Sequence, residues 1–187
     1  EDENFDSYSY PATAQQQAKR IPKATLDADT VIVSCGMLNF EESSFANGSS
    51  NEFRKHIGRR KVDVSHFEKH PEDSKIFLRS FQKNFPELCK DRQIIIVDGT
   101  RFSDPHHDKR LRSHLGTHHA TFKKISESKE FNVVNAPLRR LRSDQKNLIV
   151  DVCRSGRHRS VALTEAQAEA VQDNLYGRSG PTTEKKV

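Results

Sequence analysis

The stretch Cys153-Arg154-Ser155-Gly156-Arg157-His158-Arg159-Ser160 gathers a thiol, two hydroxyls, a glycine and four basic side chains. It follows the apolar run Leu148-Ile149-Val150 with Val152. It precedes Val161, Leu163, Ala166, Ala170, Val171 and Leu175, which recur at helical spacing until Gly177. A strand would run into a short loop and then into a helix. A helix N-terminus leaves backbone N–H groups unpaired and carries partial positive charge, so a phosphate suits it on both counts. Gly156 lets the backbone approach an anion closely, Arg159 offers a bidentate fork, and Ser160 caps or donates. Arg154, Arg157 and His158 add positive potential. The alternative is a surface turn with solvated arginines. The clustered like charges favour an expected anion.

The elements that must hold this loop are legible as short β-branched runs. Val31-Ile32-Val33, Ile94-Ile95-Ile96-Val97 and Leu148-Ile149-Val150 are continuously apolar, as in parallel strands covered on both faces. Pro71 opens a helix whose apolar face is Phe77, Leu78, Phe81 and Phe85, and Pro86 stops it. Residues 120–129 are a weaker helix, and residues 41–51 read as a loop. The expected fold is a single α/β domain. It has a central, mostly parallel sheet, flanking helices and a strand–anion loop–helix motif. The expected organisation is a flexible polar leader over 1–28, the domain over 29–176 with an insertion at 41–91, and a polar tail over 177–187.

The chain has 187 residues, a formal net charge of +5, 33% hydrophobic and 30% charged residues. That suits one soluble domain with no membrane span. Cys35, Cys89 and Cys153 are odd in number and form no Cys-x-x-Cys, so a reducing, cytoplasmic compartment is expected, without disulfides or structural zinc. Histidines crowd at His106, His107, His114, His118 and His119, yet no metal is expected from their spacing.

Two families share the loop's pattern. Cysteine-dependent phosphatases carry Cys-x5-Arg-Ser/Thr. That resemblance implies Cys153 as nucleophile, Arg159 as phosphate clamp and Asp104 or Asp108 as general acid. Val152 stands where those enzymes usually have His. The loop also resembles Cys-Thr-Gly-Gly-x-His-Arg-Ser of the C-terminal domain of the RapZ family of bacterial RNase adapter proteins. A second stretch decides between them. Asp98, Arg101-Phe102, Pro105-His106, Asp108, Leu111-Arg112 and Gly116 fill places comparable to that family's strand, Asp-x-Arg-Phe-like and Asn-Pro-His segments. The motifs occur in the family's order. Val31-Ile32-Val33-Ser34-Cys35-Gly36 resembles its first strand.

The resemblance implies binding rather than catalysis: a phosphorylated small molecule such as glucosamine-6-phosphate, with RNA as a further expected partner; a nucleotide-binding module is the third reading of the phosphate loop. Carried over, the ligand site is Asp98, Arg101, His106, Cys153, Arg154, Ser155, Gly156, Arg157, His158, Arg159 and Ser160. Asp98 would bond a sugar hydroxyl or amine, and His106 phosphate or sugar. The plainer alternative is that Asp98 caps the segment after its strand and Arg101 pairs with it. RNA phosphates would follow Arg110, Arg112, Arg139, Arg140 and Arg142, provided these share a face with the loop. No cofactor is expected, and a homo-oligomer is left open.

Overall fold

The computed structural model describes residues 21–37, 40, 64–105, 108–111 and 113–176. In chain order these form helix α1 (Lys23–Asp27), strand β1 (Thr30–Gly36), and helices α2 (His66–Lys69), α3 (Pro71–Asn84) and α4 (Pro86–Cys89). Strand β2 (Arg92–Asp98) follows, with a 3-10 turn over Gly99–Arg101. Then come α5 (His119–Ser126), α6 (Phe131–Val134), a second 3-10 turn (Ala136–Arg140), strand β3 (Lys146–Cys153) and helix α7 (Arg159–Tyr176).

The strands form a parallel sheet in the order β1-β3-β2, so the last strand lies in the middle. This is the α/β fold expected from the three β-branched runs. In register, Val31 pairs with Leu148 and Gly36 with Cys153; Asp98 on the other side pairs with Val152. All three strands therefore end together at one edge. Strand β3 is buried from Asn147 to Cys153, because both its faces are covered.

Each face has its own core. Leu148, Val150 and Val152 meet Met37, Phe40, Phe67, Phe77 and Phe81 on the first face. Ile149 joins Ile95, Val97, Phe102, Ile125, Ala162 and Leu163 on the second. Pro71 opens α3 at its first turn, and Phe77 and Phe81, one helical turn apart, are fully buried. Leu78 is only half-buried, at the margin of that face.

Two boundaries differ from the sequence reading. Residues 21–28, assigned there to the leader, belong to the folded unit. Ile21, Leu26 and Ala28 pack on the first core, and Arg92 donates to the carbonyls of Leu26 and Ala28 at 2.9 and 2.6 Å. A few apolar residues joined to the rest by backbone acceptors leave no periodic signal. Residues 64–91, within the expected insertion, form the crossover from β1 past β3 to β2. They supply Phe67, Phe77, Phe81, Phe85 and Leu88 to the core. Residues 1–20, 41–63 and 177–187 lie outside the described residues.

Phe77 is the buried centre of the first core, with its ring 5.0 Å from Phe40 edge-on. Phe77→Ala is expected to lower unfolding free energy by about 3–5 kcal/mol in urea denaturation. A loss of less than about 1 kcal/mol would mean that α3 does not anchor the sheet.

Candidate functional site

The loop between β3 and α7 sits where two neighbouring strands leave the sheet in opposite directions. The chain after β1 turns onto the first face, where Met37 and Phe40 are buried. The chain after β3 turns onto the second face as α7. In open α/β sheets, ligand crevices form at such divergences, beyond the carboxyl ends of the strands.

Glycines set how closely the backbone closes there. A Cβ on Gly36 would lie 2.4 Å from the carbonyl carbon of Ser155, and one on Gly156 would lie 2.6 Å from the nitrogen of Gly36. Gly156 also has φ of +70°, in the left-handed region that suits glycine. The end of β1 and the loop are thus in backbone-to-backbone contact. The two sequence motifs also meet here. Gly116 of the second motif donates its N–H to Arg157 O at 3.0 Å, and a Cβ on it would lie 2.3 Å from His158 O.

Beneath the loop lies a cluster of hydroxyls and a thiol. Ser160 Oγ is 2.9 Å from Ser34 Oγ and 3.2 Å from Cys153 Sγ. In the sequence Ser34 is merely the residue after an apolar run; the register of β1 against β3 carries it to the loop. Cys153 is buried. On β1, burial pushes the Cys35 thiol up to about 12, with nearby Cys153 and Asp151 adding to it, so Cys35 stays a thiol. Arg154, Gly156 and Arg157 are half-buried and Ser155 is exposed. Arg157 also reaches Ser113 O at 3.1 Å.

Arg159 takes a different role from the clamp that its spacing suggested. It is 2% exposed. Its Nη1 donates to Thr100 O and Phe102 O at 3.3 and 3.2 Å, and its Nη2 donates to Asp104 Oδ2 at 3.1 Å. The buried carboxylate of Asp104 also lies 3.9 Å from buried His158 Nδ1. The guanidinium therefore joins the turn after β2 to the first turn of α7, and Asp104 is engaged as its partner. A buried charge demands such a partner, and the sequence holds this one 55 residues away.

Among the described residues, the side chains of Asp98 and Arg101 bond to α2 and the 3-10 turn and not to the loop. Asp98 Oδ1 accepts from Thr100 N at 2.9 Å and Thr100 Oγ1 at 2.6 Å, and its Oδ2 accepts from Phe67 N at 2.7 Å. It caps the 3-10 turn, as in the plainer alternative. Arg101 pairs with Glu68 at 3.4 Å rather than with Asp98. Of the proposed RNA-facing arginines, Arg110 pairs with Asp108 at 3.3 Å and Arg142 with Asp144 at 2.8 Å. Arg139 and Arg140 are exposed on the second 3-10 turn. His106, His107 and Arg112 lie outside the described residues. Among the described residues, no three His, Cys, Asp or Glu side chains come together as metal ligands. Nor is any described helix long and apolar enough to cross a membrane.

Asp151 is a buried titratable group to which the sequence reading gave no role. Its side chain is fully buried beneath α7, accepting from Thr164 Oγ1 at 2.7 Å and Gln167 Nε2 at 2.9 Å. Burial pushes its carboxyl up to about 7, against the pull of those two donors. A lone carboxylate inside a continuous apolar strand was the available signal.

No protein-family model matches the chain, and neither a curated protein nor a solved structure does.

Two outcomes test the electrostatics of the site. Arg159→Met leaves Asp104 and two carbonyls without their donor, and should cost about 3–5 kcal/mol in chemical denaturation. Adding Asp104→Asn should recover part of that loss, whereas an Arg159 serving only a ligand would leave the stability of the ligand-free protein unchanged. The second outcome concerns Asp151. Its folded-state value is raised, to about 7 from an ordinary 3.8. Between these values the folded protein holds a proton that the unfolded chain releases. Stability should therefore rise as pH falls from about 7 to about 4, by on the order of 4 kcal/mol from this group. Asp151→Asn should remove that slope from a pH series of denaturation curves.

Proposed function

We propose that this protein binds a phosphorylated small molecule in the loop Cys153 to Ser160, as a domain resembling the RapZ C-terminal domain. The observation that carries the reading is the contact between Gly36 and Gly156. It brings the loop's backbone over the end of β1, at the divergence of two strands and the start of an 18-residue helix. Unpaired N–H groups of a helix's first turn and its dipole both favour a phosphate there. The roles follow from position. Loop amides and the Ser160 hydroxyl would donate to phosphate oxygens, with Ser34 and Cys153 behind Ser160. Arg154 and Arg157 would supply long-range positive field. Arg159 acts indirectly as a positioning residue, holding the first turn of α7 against the turn after β2. The proximity of Gly116 to the loop further supports a family likeness that rests on both motifs.

The RNA half of the likeness finds less support, since Arg110 and Arg142 are already paired with carboxylates. The phosphatase reading draws on one contact. Ser160 Oγ lies close enough to Cys153 Sγ, at 3.2 Å, to stabilise a thiolate. Against it, Asp104 is tied to Arg159, and the thiol is buried.

Thermal melting of the full chain with glucosamine-6-phosphate, ATP and inorganic phosphate tests the proposal. Ligand at about 100 times Kd should stabilise the protein by about 2.7 kcal/mol and raise Tm. Ser160→Ala, and Arg154→Gln combined with Arg157→Gln, should shrink that rise. No rise with any of the three phosphates would sink the binding reading. Turnover of p-nitrophenyl phosphate that Cys153→Ser abolishes would replace it with the enzyme.

A further inference from the structure

A groove of about 760 Å³ opens beside the edge strand β2, between the start of α2 and α3 on one side and α6 with the second 3-10 turn on the other. It is lined by other residues than the β3–α7 loop and lies outside it. Phe67, Ile96, Val134 and Pro137 give it an apolar lining. Arg101 and Arg140 both line it as well, one from the turn after β2 and one from the second 3-10 turn. A groove of this size, mostly apolar with a few convergent polar groups, is of the kind that holds a small organic ligand.

Lys75, Arg101 and Arg140 line the groove against Glu68 and Asp98, an excess of one positive charge. Asp98 contributes a carboxylate, but it accepts three bonds from Phe67 and Thr100 and is satisfied internally. Glu68 Oε2 accepts from Ser65 N at 2.8 Å and has only a long 3.4 Å contact with Arg101 Nη1. Among the described residues, Arg101 Nε is buried and finds no acceptor. Glu130, whose field reaches Arg101, is bonded to Ser128. Arg140 is exposed and has no ion pair among the described residues. Lys75 is tied to Glu72 by an exposed pair of little energetic value. Two guanidinium groups thus line an apolar groove, Arg101 with one long contact to Glu68 and Arg140 with no ion pair among the described residues.

We infer that this groove binds an organic anion: a compact apolar body carrying one carboxylate, sulfonate or phosphate, with the anion held by Arg101 and Arg140 over the floor of Phe67, Ile96, Val134 and Pro137. Guanidinium groups favour such oxyanions through paired N–H donors, and the apolar body would cover surface that water otherwise wets. The inference does not depend on the phosphate loop. Small inorganic anions lack the apolar body and would bind the groove poorly.

The test uses anilinonaphthalene sulfonate, an apolar anion, and its uncharged counterpart phenylnaphthylamine, each titrated by fluorescence into the full chain. The sulfonate should saturate at one site, and inorganic phosphate should not displace it. Arg101→Gln combined with Arg140→Gln should weaken the sulfonate about tenfold and leave the neutral probe unchanged. Val133→Glu, at a groove-lining side chain that is half exposed, should repel the sulfonate without touching the core. Amide NMR shifts should then map to residues 96–101 and 133–140. Equal losses for both probes, no loss in either variant, or shifts confined to residues 153–160 would overturn the inference. Because phosphate competition is read separately, failure here leaves the loop's own test standing.

Discussion

Arg159 carries a full charge to a place that is almost closed to water, and the C-terminal edge of the sheet is organised around that fact. A buried guanidinium is tolerated only where acceptors surround it. Two carbonyls from the turn after β2 and the carboxylate of Asp104 do so, on elements remote in sequence. Because the guanidinium's planar fork fixes direction as well as distance, the first turn of α7 cannot rotate freely about its axis. The amides that precede it inherit that orientation. The arginine that the spacing presents as a ligand contact is thereby a residue that fixes the orientation of the loop.

A second constraint acts at the same edge. Gly36 and Gly156 meet without side chains between them, so the loop lies directly on the end of β1. Together the charge and the glycines hold the loop from opposite sides, one through α7 and one through β1. Between them, Ser34, Cys153 and Ser160 form a short polar chain under an otherwise apolar sheet. The three groups satisfy one another, which is what makes a polar cluster tolerable in that position.

The edge of β2 obeys different physics. Its carboxylates accept from backbone and hydroxyl donors, which stabilise them in the charged form, and Glu68 also meets Arg101 at 3.4 Å. Ion pairing likewise separates Arg139 and Arg140 from Arg110 and Arg142, although all four look alike in a list of basic residues.

What the sequence determined was local. Continuous β-branched runs gave three parallel strands, the central one buried, Pro71 and Pro86 bounded α3, and the glycine with clustered basic residues marked the loop between β3 and α7. These signals depend on neighbours within a few residues, where steric limits and side-chain period act directly. The tertiary structure decided the rest. It chose Asp104 as the partner of Arg159, turned Asp98 into a cap, drew residues 21–28 into the core and delivered Ser34 to Ser160. It also buried Asp151 beneath Thr164 and Gln167. Each of these is a pairing across long stretches of chain, set by strand register and by which face a residue occupies. A residue's type states what bonds it needs; only the packed fold determines which distant group supplies them.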